Sequence, residues 1–563
     1  MPPISQPTPL TLGAADALKR AADHDVEAVE KPLKSSKISF FLRPYAVNFV
    51  KEGGEMARYK DYCYEQTKLI PISFHHQILP GTFEYTLNYL IDNEFDLSLF
   101  EQRYHNDETG APAYDPAVLL KIVLYAYARG IVSSRQIEQC CQENIIFMAL
   151  SADTHPHFTT IADFISSRVE EIIELFRDVL LICDEMGLIG REMFAIDGCK
   201  IPSNASKEWS GTKAELRRKQ KKMERAVRYL VEKHREMDIE AGQDPVVDKE
   251  RQQIETLRAR VKKLKSWLKQ NDEKWGKTGP KKSNLTDNES AKMKSSHGVI
   301  QGYDGVAAVD SKHQVVVHAE AFGQPQEHEL LEPMVEGTRE NFQAIGAGED
   351  IFEQTKLTAD AGFHTEKNMK MLFEEQIDGY VADILFRKRD PRFDTADRYK
   401  PKKGKTTERF TPKDFIYDQK HLTCVCPAGK RLYLKQRHVV IRGYQAVCFM
   451  GAKRDCVPCG LRSRCLKDPG QSTTRQVYFF KARSAQAPET FTAKMKRKID
   501  SLKGRYIYGQ RLGTVEPVFA NICSTLGLKR FSLRGKTKVD TQWKLFCIVH
   551  NLLKIHRYAP GFT

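Results

Sequence analysis

Hydrophobic residues between positions 75 and 190 recur at the spacing of amphipathic helices, and polar residues mark where the helices begin. Asp115 and Pro116 precede the apolar run 118–124, and Gly130 follows it. Asp is a favoured N-cap, Pro suits the first helical turn, and Gly is a common helix stop. The pattern predicts a compact domain of short helices.

Further capping patterns in this region predict two longer helices. A Ser-x-x-Gln pattern at 133–136 is typical of a capping box before a helix over 137–150, and 160–163 caps a helix that ends near Gly187. The short connection after the first helix has the spacing of a helix-turn-helix motif, in which Arg135 would face DNA phosphates. An ordinary helical bundle explains the same pattern equally well.

After position 190 the apolar runs change to the length and spacing of strands. Five such runs follow one another, at 193–197, 302–310, 314–319, 356–360 and 379–383. A helical pattern over 366–375 separates the last two. A strand and a hairpin, followed by strand, helix and strand, predict an α/β fold with a mixed sheet and helices against it.

Residues 208–296, between the first two strands, show helical spacing instead. A capping box at 212–215 opens one helix, and 241–245 separates it from a second helix whose apolar positions alternate by three and four. This predicts an antiparallel helical hairpin with a narrow apolar seam. Its basic faces are typical of solvated helices, while the nearly acid-free segment with Lys281 and Lys282 favours DNA contact.

Three acidic residues stand in settings that indicate metal chemistry. Asp197 and Asp360 each close an apolar run bounded by glycine, so each is predicted at the exposed end of a buried strand. Glu516 is predicted to open a helix. Hard divalent cations take oxygen ligands, and two strand ends beside a helix can bring three carboxylates together. The set predicts a two-metal site for phosphoryl transfer.

Thirteen cysteines are too few for a disulfide scaffold in a chain of 563 residues. Cys426, Cys456, Cys459 and Cys465 lie close together in the sequence and include one Cys-x-x-Cys knuckle. This spacing predicts a tetrahedral structural Zn²⁺ site. A reduced, metal-free ribbon is the alternative, and the surrounding Lys and Arg residues could follow a DNA backbone in either case.

Composition narrows the class of partner. Lys and Arg number 88 against 73 Asp and Glu, which gives a net charge of +15. Such an excess favours a polyanion such as nucleic acid, although a basic surface alone would give the same count. No stretch approaches the roughly 18 to 20 apolar residues of a membrane span. Residues 1–36 also lack the apolar segment of a signal peptide, so we expect a cytoplasmic protein without a membrane partner.

Three motifs in a fixed order carry a resemblance to a known family. They are Asp197-Gly-Cys-Lys200 with Asn204-Ala-Ser206, then Ala359-Asp360-Ala-Gly362-Phe363-His364, then Tyr508, Arg511 and Glu516 leading to Gly527-Leu-Lys-Arg530-Phe-Ser-Leu-Arg534. The chain resembles DDE transposases of bacterial insertion sequences, from the cut-and-paste branch with a Tyr-Arg-Glu signature (insertion sequence families four and five). The resemblance covers most of residues 75–555. It departs from the family at Cys523, where a lysine is expected.

The resemblance implies a ribonuclease H-like catalytic core and a metal-dependent reaction. Asp197 would bridge two Mg²⁺ ions, and Asp360 and Glu516 would each complete one side, with Mn²⁺ able to replace Mg²⁺. The implied reaction is phosphodiester hydrolysis at the element ends, followed by attack of a freed 3′-hydroxyl on target DNA. No covalent protein intermediate is needed.

Residues beside the three acids are expected to hold DNA. Arg511 fits a bidentate phosphate clamp, or an ion pair on the helix that carries Glu516. Tyr508 would stack on a base or simply be a half-buried aromatic side chain. Residues just past the first strand, and one basic residue of the last motif, are expected to contact the DNA backbone, namely Lys200, Asn204, Ser206 and Arg534.

These patterns divide the chain into six predicted regions. They are a leader at 1–36, a helical DNA-binding domain at 37–190, a core formed by 191–207 with 297–385, a basic hairpin at 208–296, a basic Cys-rich insert at 386–480, and a C-terminal region at 481–563 that completes the core with its catalytic helix. The fold class is therefore α/β with an all-α N-terminal domain and two inserts.

The leading hypothesis is a DNA transposase that acts on the terminal inverted repeats of its own element and on target DNA. As the resemblance implies, it would work as a homodimer in the synaptic complex and be associated with the bacterial nucleoid. Two alternatives use the same features. One is a domesticated DNA-binding protein that has lost transposition, and the other is a structure-specific DNA nuclease.

Overall fold

A computed structural model describes residues 71–104, 112–237, 245–276, 279–295, 298–348, 350–393, 395, 409–441, 444–480, 489–559 and 561. The predicted leader at 1–36 and the break at 241–244 lie outside the described residues. Residues 72–563 form one compact unit. Within the described part, no helix is both long enough and apolar enough to cross a membrane.

Seven helices form the described N-terminal region: α1 Phe83–Asn93, α2 Ser98–Glu101, α3 Pro116–Ala128, α4 Ser134–Glu143, α5 Ile145–Leu150, α6 Phe158–Ser167 and α7 Val169–Glu185. Helix α3 begins as predicted, because Asp115 accepts a hydrogen bond from the backbone N–H of Ala117 at 2.7 Å. It is followed by Gly130, whose φ of 75° confirms the predicted stop.

Two predicted long helices are each broken into two. The prediction over 137–150 was wrong because Asn144 is extended and caps α5 through its side chain, accepting from Ile146. Ser133 makes no side-chain capping bond to α4. The helix predicted from 160–163 to Gly187 starts earlier, after His157, and is interrupted at Arg168. Asn is a favoured N-cap residue, so the break at Asn144 has a local signal that the prediction missed, whereas Arg168 carries no Gly, Pro or capping signal.

The central sheet has six strands: β1 Met193–Pro202, β2 Ala291–Ser295, β3 Gly298–Asp310, β4 Val316–Phe322, β5 Lys356–Ala359 and β6 Gly379–Val381. From one edge of the sheet, the strand order is β6, β5, β1 and β3. Beyond β1, strand β3 pairs with two strands: β2 pairs with the first part of β3, and β4 pairs with its second part. Strands β5 and β6 run parallel to β1, and β3 runs antiparallel to it. The predicted mixed α/β sheet is confirmed.

Helices cover this sheet and join it to the N-terminal region. They are α10 Leu331–Ala344 and α11 Glu366–Glu374 between the strands, and α15 Phe491–Asp500, α16 Leu502–Ala520 and α17 Lys536–Tyr558 at the C-terminal end; the short helix α12 Phe386–Arg389 follows β6. The indole of Trp543 in α17 donates to the carbonyl of Val306 in β3 at 3.0 Å, and Phe546 stacks on Tyr127 of α3 at 4.6 Å. The N-terminal helices, the sheet and α17 therefore share one hydrophobic core.

The predicted hairpin between β1 and β3 is present as α8 Lys213–Met237 and α9 Pro245–Gln270. Its capping box is reciprocal: Glu215 accepts from the N–H of Thr212 at 2.9 Å, and Thr212 accepts from the N–H of Glu215 at 3.2 Å. Leu216 and Leu264 are buried in the seam between the helices. Most other hairpin side chains with described positions are exposed or half-buried, so the hairpin presents its charges to solvent.

In the sequence, a second sheet of five antiparallel strands is formed between β6 and α15. Its strands are β7 Ile416–Asp418, β8 Thr423–Val425, β9 Arg431–Ile441, β10 Tyr444–Met450 and β11 Gln476–Phe480, paired in that order. Two short helices stand between the last two strands, α13 Lys453–Cys456 and α14 Arg462–Cys465. We refer to residues 410–480 as the Cys-rich sheet.

Candidate active site

Asp197 and Asp360 lie side by side because of the register between two parallel strands. The last pair between β1 and β5 is Ile196 with Ala359, so the next residue on each strand is one of the two acids. Asp360 follows β5 directly, as predicted. The prediction that Asp197 ends its strand was wrong, because β1 continues through antiparallel pairing with β3 as far as Pro202. The parallel pairing therefore stops beside the two acids because β5 ends there, while β1 continues past them.

Arg511 of α16 joins the two carboxylates. Its Nη1 lies 2.5 Å from Oδ2 of Asp197, and its Nη2 lies 3.3 Å from Oδ1 of Asp360. The arginine side chain is 5% exposed, so this bridge is largely withdrawn from water. A positive group thus already sits between the two carboxylates, whose side chains are 20% exposed in Asp197 and 41% exposed in Asp360.

The electrostatics of these groups follow from burial. Burial raises the pKa of Asp197; Arg511 opposes that shift, while the neighbouring carboxylate of Asp360 adds to it. Burial works against the charged guanidinium of Arg511, but the attraction of Asp197, with Tyr508 and Asp360, outweighs it and raises the pKa of Arg511. The site therefore favours a cation bound between its carboxylates.

Glu516 is on the same helix as Arg511 but is not part of this bridge. It is exposed and stands near the C-terminal end of α16, so the prediction that it opens a helix was wrong. Helix α16 packs against β1 and β5, and Glu516 lies one turn beyond Leu512, which lines the cavity beside Asp360. Among the described residues, no three acidic, His or Cys side chains are already gathered closely enough to hold an ion.

The donor groups nevertheless suit a hard cation. Asp197 and Asp360 present carboxylate oxygens to one shared position, which the guanidinium of Arg511 fills here as a positive group. Mg²⁺ is bound through carboxylate oxygens in just such settings, and further ligands commonly come from water. These two acids fit the ion, and Glu516 is the acidic residue that α16 carries.

A cavity of about 370 Å³ opens beside Asp360. Tyr508 and Arg511 form one wall, and Arg387 and Arg392 stand on its rim. The ring of Tyr508 packs edge-on against Phe386 at 5.1 Å and lies under the guanidinium of Arg511 at 5.6 Å. The half-buried aromatic side chain predicted for Tyr508 is thus present, on the wall of a cavity that carries both acidic and basic side chains.

Three of the residues predicted to contact the DNA backbone meet at the far end of β1. Asn204 donates to the carbonyl of Ser532, and Arg534 donates to the carbonyl of Asn204 at 2.9 Å. Ser206 caps a short 3-10 turn by accepting from Glu208. Asn204, Ser206 and Arg534 are all exposed, so they form one polar corner of the sheet.

The other predicted DNA contacts are dispersed. Lys200 is half-buried and pairs with Glu327 at 3.1 Å instead of standing free. Arg135 is exposed and lies over the ring of Phe158 at 4.6 Å. Lys281 and Lys282 are exposed beside the hairpin. The structure therefore does not gather these four residues into one site.

Two acidic residues near Asp197 were not predicted from the sequence, Asp304 and Glu327. Asp304 of β3 is fully buried, and neither of its oxygens receives a hydrogen bond from a donor group in the described structure. It approaches so closely that a Cβ at Gly198 would meet its Oδ1 at 2.7 Å, which explains the glycine after Asp197. Burial, and then the nearby carboxylate of Glu327, raise the pKa of Asp304 to about 7, against the attraction of Lys200. An acid between glycines in an apolar strand was the available signal.

The cysteine at the position of the expected lysine has a partner. Cys523 lies in a π-helical turn, Asn521–Thr525, after α16, and its Sγ is 3.6 Å from Sγ of Cys199 in β1. The contact with Cys523, together with burial, raises the pKa of the Cys199 thiol. The departure from the family pattern therefore packs against the strand that carries Asp197.

Comparison with known families supports the resemblance. Residues 425–556 match a family described as "Transposase DDE domain", and residues 72–167 match one described as "Transposase domain (DUF772)". No curated protein matches the sequence. The first match contains Arg511 and Glu516, whereas Asp197 and Asp360 fall outside both matched ranges.

A mixed α/β fold with a helical N-terminal region, and a pair of carboxylates bridged at the edge of its sheet, is compatible with a DDE transposase. The two matches confirm the resemblance of the chain to DDE transposases of insertion sequences. The more specific assignment to families four and five stays a prediction. Transposase domains indicate transposase function and imply DNA as the substrate.

Proposed function

We propose that the protein cleaves DNA at the ends of a mobile element and joins the freed 3′ ends to target DNA. The observation that carries this proposal is the bridge of Asp197 and Asp360 through Arg511 at the edge of the central sheet. It gathers two carboxylates from distant parts of the chain around one position suited to a cation. A carboxyl group whose pKa is shifted by burial and by a specific charge partner, as that of Asp197 is, is a candidate for a functional site.

The order of strands supports a ribonuclease H-like core. Strands β1, β3 and β4 form an antiparallel meander, and β5 and β6 then add in parallel on the other side of β1. This places the acids of β1 and β5 next to each other on two inner strands, at the edge where β5 ends. Helix α16, which carries Glu516, packs against β1 and β5, and this packing supports Glu516 as the third carboxylate.

Asp197, Asp360 and Glu516 would hold a pair of Mg²⁺ ions, or Mn²⁺ in their place. Bound ions of this kind activate the attacking oxygen and stabilise the charge on the leaving oxygen. The residues of the chain then have separate tasks. Arg511 would turn its guanidinium from the carboxylates to a DNA phosphate, for which its planar fork is suited. Tyr508, on the cavity wall, would stack on a base beside the scissile phosphate.

DNA beyond the cleaved bond would contact the basic surfaces of the chain. The proposed surfaces are the helical domain at 37–190 with Arg135, the hairpin insertion at 208–296 with Lys281 and Lys282, and the exposed corner formed by Asn204, Ser206 and Arg534. Lys200 would join this corner by exchanging Glu327 for a phosphate. Their charges would make binding salt-dependent because DNA association releases counterions.

The remaining assignments follow the same proposal. The core would comprise 191–207 and 297–385, completed by 481–563 and interrupted by the Cys-rich insert at 386–480. Two copies would pair two element ends in a homodimer, and the protein would act in the bacterial cytoplasm at the nucleoid. Nothing in the fold favours the domesticated binding protein or the nuclease over this function.

The decisive experiment incubates the purified chain with labelled element ends, a target plasmid and Mg²⁺. We expect joined products from the unaltered protein and none from Asp197→Ala. DNA binding should persist in the variant, because Asp197 contributes no positive charge to the DNA-binding surface.

Each other outcome would contradict the proposal in a recognisable way. Cleavage without joining would identify a nuclease, and binding without either reaction would identify a DNA-binding protein. Joining that survives Asp197→Ala would show that the proposed carboxylate site is misplaced.

A further inference from the structure

We propose that the Cys-rich sheet binds one structural Zn²⁺ through the thiolates of Cys426, Cys456, Cys459 and Cys465. This site is separate from the carboxylate site and does not depend on the proposed reaction. Its chemistry is also different, because thiolate sulfur suits Zn²⁺ and not Mg²⁺.

The first observation is that the fold brings these four thiols to one place. Cys426 comes from the turn after β8, Cys456 from α13, Cys459 from the loop after it, and Cys465 from the end of α14, and all four line one cavity. The cavity has a volume of about 40 Å³, which is room for a single ion and not for an organic ligand. The site therefore has four potential ligands from two separate parts of the chain.

The second observation is the backbone around Cys426. The N–H of Lys430 donates to Sγ of Cys426 at 3.4 Å, and the N–H of Cys426 donates to the carbonyl of Lys430 at 2.9 Å. The turn between them needs Gly429, whose φ is 74°. A backbone N–H aimed at a cysteine sulfur stabilises negative charge on it, as outer-sphere hydrogen bonds do for metal ligands.

The third observation is that the other two cysteines of the sheet are used differently. Cys424 is buried in the hydrophobic core of the sheet, opposite Leu432. Cys448 is buried in β10 and accepts a hydrogen bond from the side chain of Gln476 at 3.2 Å. Neither lines the cavity. The fold thus separates the six cysteines of the Cys-rich sheet into four candidate ligands and two buried core residues.

The fourth observation is that this part of the chain has little else to order it. Helices α13 and α14 have four residues each, and isolated helices of that length are not stable in water. The segment folds around one side chain, Arg462, which donates to the carbonyls of Cys456, Thr473, Pro469 and Ser472. Small domains with little core commonly use a structural metal as a second source of stability.

The sulfurs line the cavity wall without being drawn together. None of the described cysteines forms a disulfide, and the part of the chain with described positions holds no set of three ligating side chains already at ligand distance. Ion binding would pull the four sulfurs inward from the wall. That movement would fix the loop between β10 and β11, which carries six basic residues: Lys453, Arg454, Arg462, Arg464, Lys467 and Arg475.

The test measures zinc in the purified full-length chain by mass spectrometry and by release with a thiol-blocking mercurial. We expect about one Zn²⁺ per chain, as a single tetrahedral site requires. Cys459→Ser and Cys465→Ser should each lose most of the metal. Cys448→Ala is the matched control, since it removes a buried cysteine from the same sheet, and it should keep the metal.

Replacement of zinc with Co²⁺ gives a second readout. It can be measured on the unaltered chain, so it does not depend on whether the cysteine variants are soluble. The unaltered chain should show the thiolate-to-metal absorption of a tetrahedral cobalt site, and Cys448→Ala should show it equally. Absence of both zinc and the cobalt spectrum in the unaltered chain would overturn the proposal. So would equal zinc loss in Cys448→Ala and Cys459→Ser.

Neither result depends on catalysis. Asp197→Ala should contain as much zinc as the unaltered chain, and an inactive protein with a full zinc site would leave this inference intact. Conversely, a chain that joins DNA without binding zinc would contradict the zinc site alone.

Discussion

The central sheet belongs to a hydrophobic core that continues through the N-terminal helices and α17, whereas the Cys-rich sheet has a small core of its own. Among the described residues, that small core has six buried members: Phe415, Cys424, Leu432, Val447, Phe449 and Val477. The two sheets also carry opposite chemistry. One places carboxylate oxygens at its edge, and the other places thiols around a small cavity.

This difference suggests how each site is held in place. Asp197 and Asp360 are fixed by strand register inside a large core, so their positions do not require a bound ion. The four thiols lie on short helices and turns that have few buried contacts. A metal at the carboxylate site would therefore serve chemistry, whereas a metal at the thiol site would serve stability.

The largest expected effect separates chemistry from stability at the central sheet. Asp360→Asn keeps the shape of the side chain but removes the charge, so cleavage and joining should fall about a thousandfold, equivalent to roughly 4 kcal/mol in the barrier. The melting temperature should change little. Initial rates of strand joining and thermal unfolding check the two parts.

Asp378→Asn is the matched control for this variant. Asp378 precedes the next parallel strand, β6, and pairs with Lys498 at 2.6 Å. Loss of activity in Asp378→Asn as large as in Asp360→Asn would mean that any carboxylate on this sheet matters equally, which would remove the basis for the site.

Deletion of one aromatic ring from each core tests the difference in their sizes. Phe546→Ala and Phe449→Ala each remove a fully buried ring, with an expected local cost of about 3–5 kcal/mol. Phe546→Ala should lower the free energy of global unfolding, because its ring stacks on Tyr127 in the shared core. Phe449→Ala should instead expose the Cys-rich sheet to protease while the rest stays folded.

Urea unfolding and limited proteolysis with mass spectrometry distinguish the two responses. If Phe449→Ala reduced global stability as much as Phe546→Ala does, the two sheets would unfold as one unit. The difference in size between the two cores would then not correspond to a difference in how the two sheets unfold.

Arg511→Gln tests whether the guanidinium holds the place of a cation. Its loss leaves two partly buried carboxylates unpaired, so unfolding without metal should become easier by about 2–3 kcal/mol. Mg²⁺ should stabilise this variant more than the unaltered chain, since the ion no longer competes with the arginine. Thermal melts at several Mg²⁺ concentrations measure both changes.

Arg497→Gln provides the comparison for a pair on the protein surface. Arg497 is 73% exposed and pairs with Glu489, which is 34% exposed, at 2.7 Å. Its loss should cost at most about 1 kcal/mol, and Mg²⁺ should have no special effect on it. A Mg²⁺ response in Arg497→Gln equal to that in Arg511→Gln would exclude a specific exchange at the acidic pair.

The smallest expected effect concerns the pH response of the large core. Burial lowers the pKa of His550 to about 4; a hydrogen bond to the carbonyl of Gln314 opposes the shift. The unfolded chain therefore binds a proton between pH 6.5 and 4 that the folded chain does not, so stability is full above pH 6.5 and falls as pH approaches 4. This group should cost about 2 kcal/mol between pH 7 and 5.

Urea unfolding at the two pH values measures this loss, and His550→Gln should show less of it than the unaltered chain. His421→Gln, which removes an exposed histidine paired with Asp418 in the Cys-rich sheet, should leave the slope unchanged. An unchanged slope in His550→Gln would show that other buried groups control the acid response.

Much of the secondary structure could be predicted because its signals are local. The N-cap at Asp115 and the reciprocal cap of Thr212 with Glu215 involve residues within one helical turn, and both are present. The break at Asn144 has a local signal of the same kind, because Asn144 caps the next helix, and the prediction missed it. The break at Arg168 has no such signal, and helix propensity is too weak a preference to show it.

The candidate site could be predicted in part. Asp197, Asp360 and the four cysteines were identified from their sequence settings, and the structure brings the two acids together and the four thiols around one cavity. Asp304 and Glu327 were missed because β3 and the short turn Glu327–Glu329 meet the strand that carries Asp197 only in the tertiary structure. Lys200 was expected to stand free for the same reason, since its partner Glu327 is distant in sequence.

The sequence alone determined the types of element, the basic character, the acids and thiols available for metals, and the resemblance to DDE transposases. Tertiary structure decided that Asp197 and Asp360 are adjacent, that Arg511 lies between them, and that four cysteines of six line one cavity. Caps and periodicity depend on contacts within a few residues of the chain. Adjacency of distant residues depends on strand register and on the packing of whole elements, which no local pattern contains.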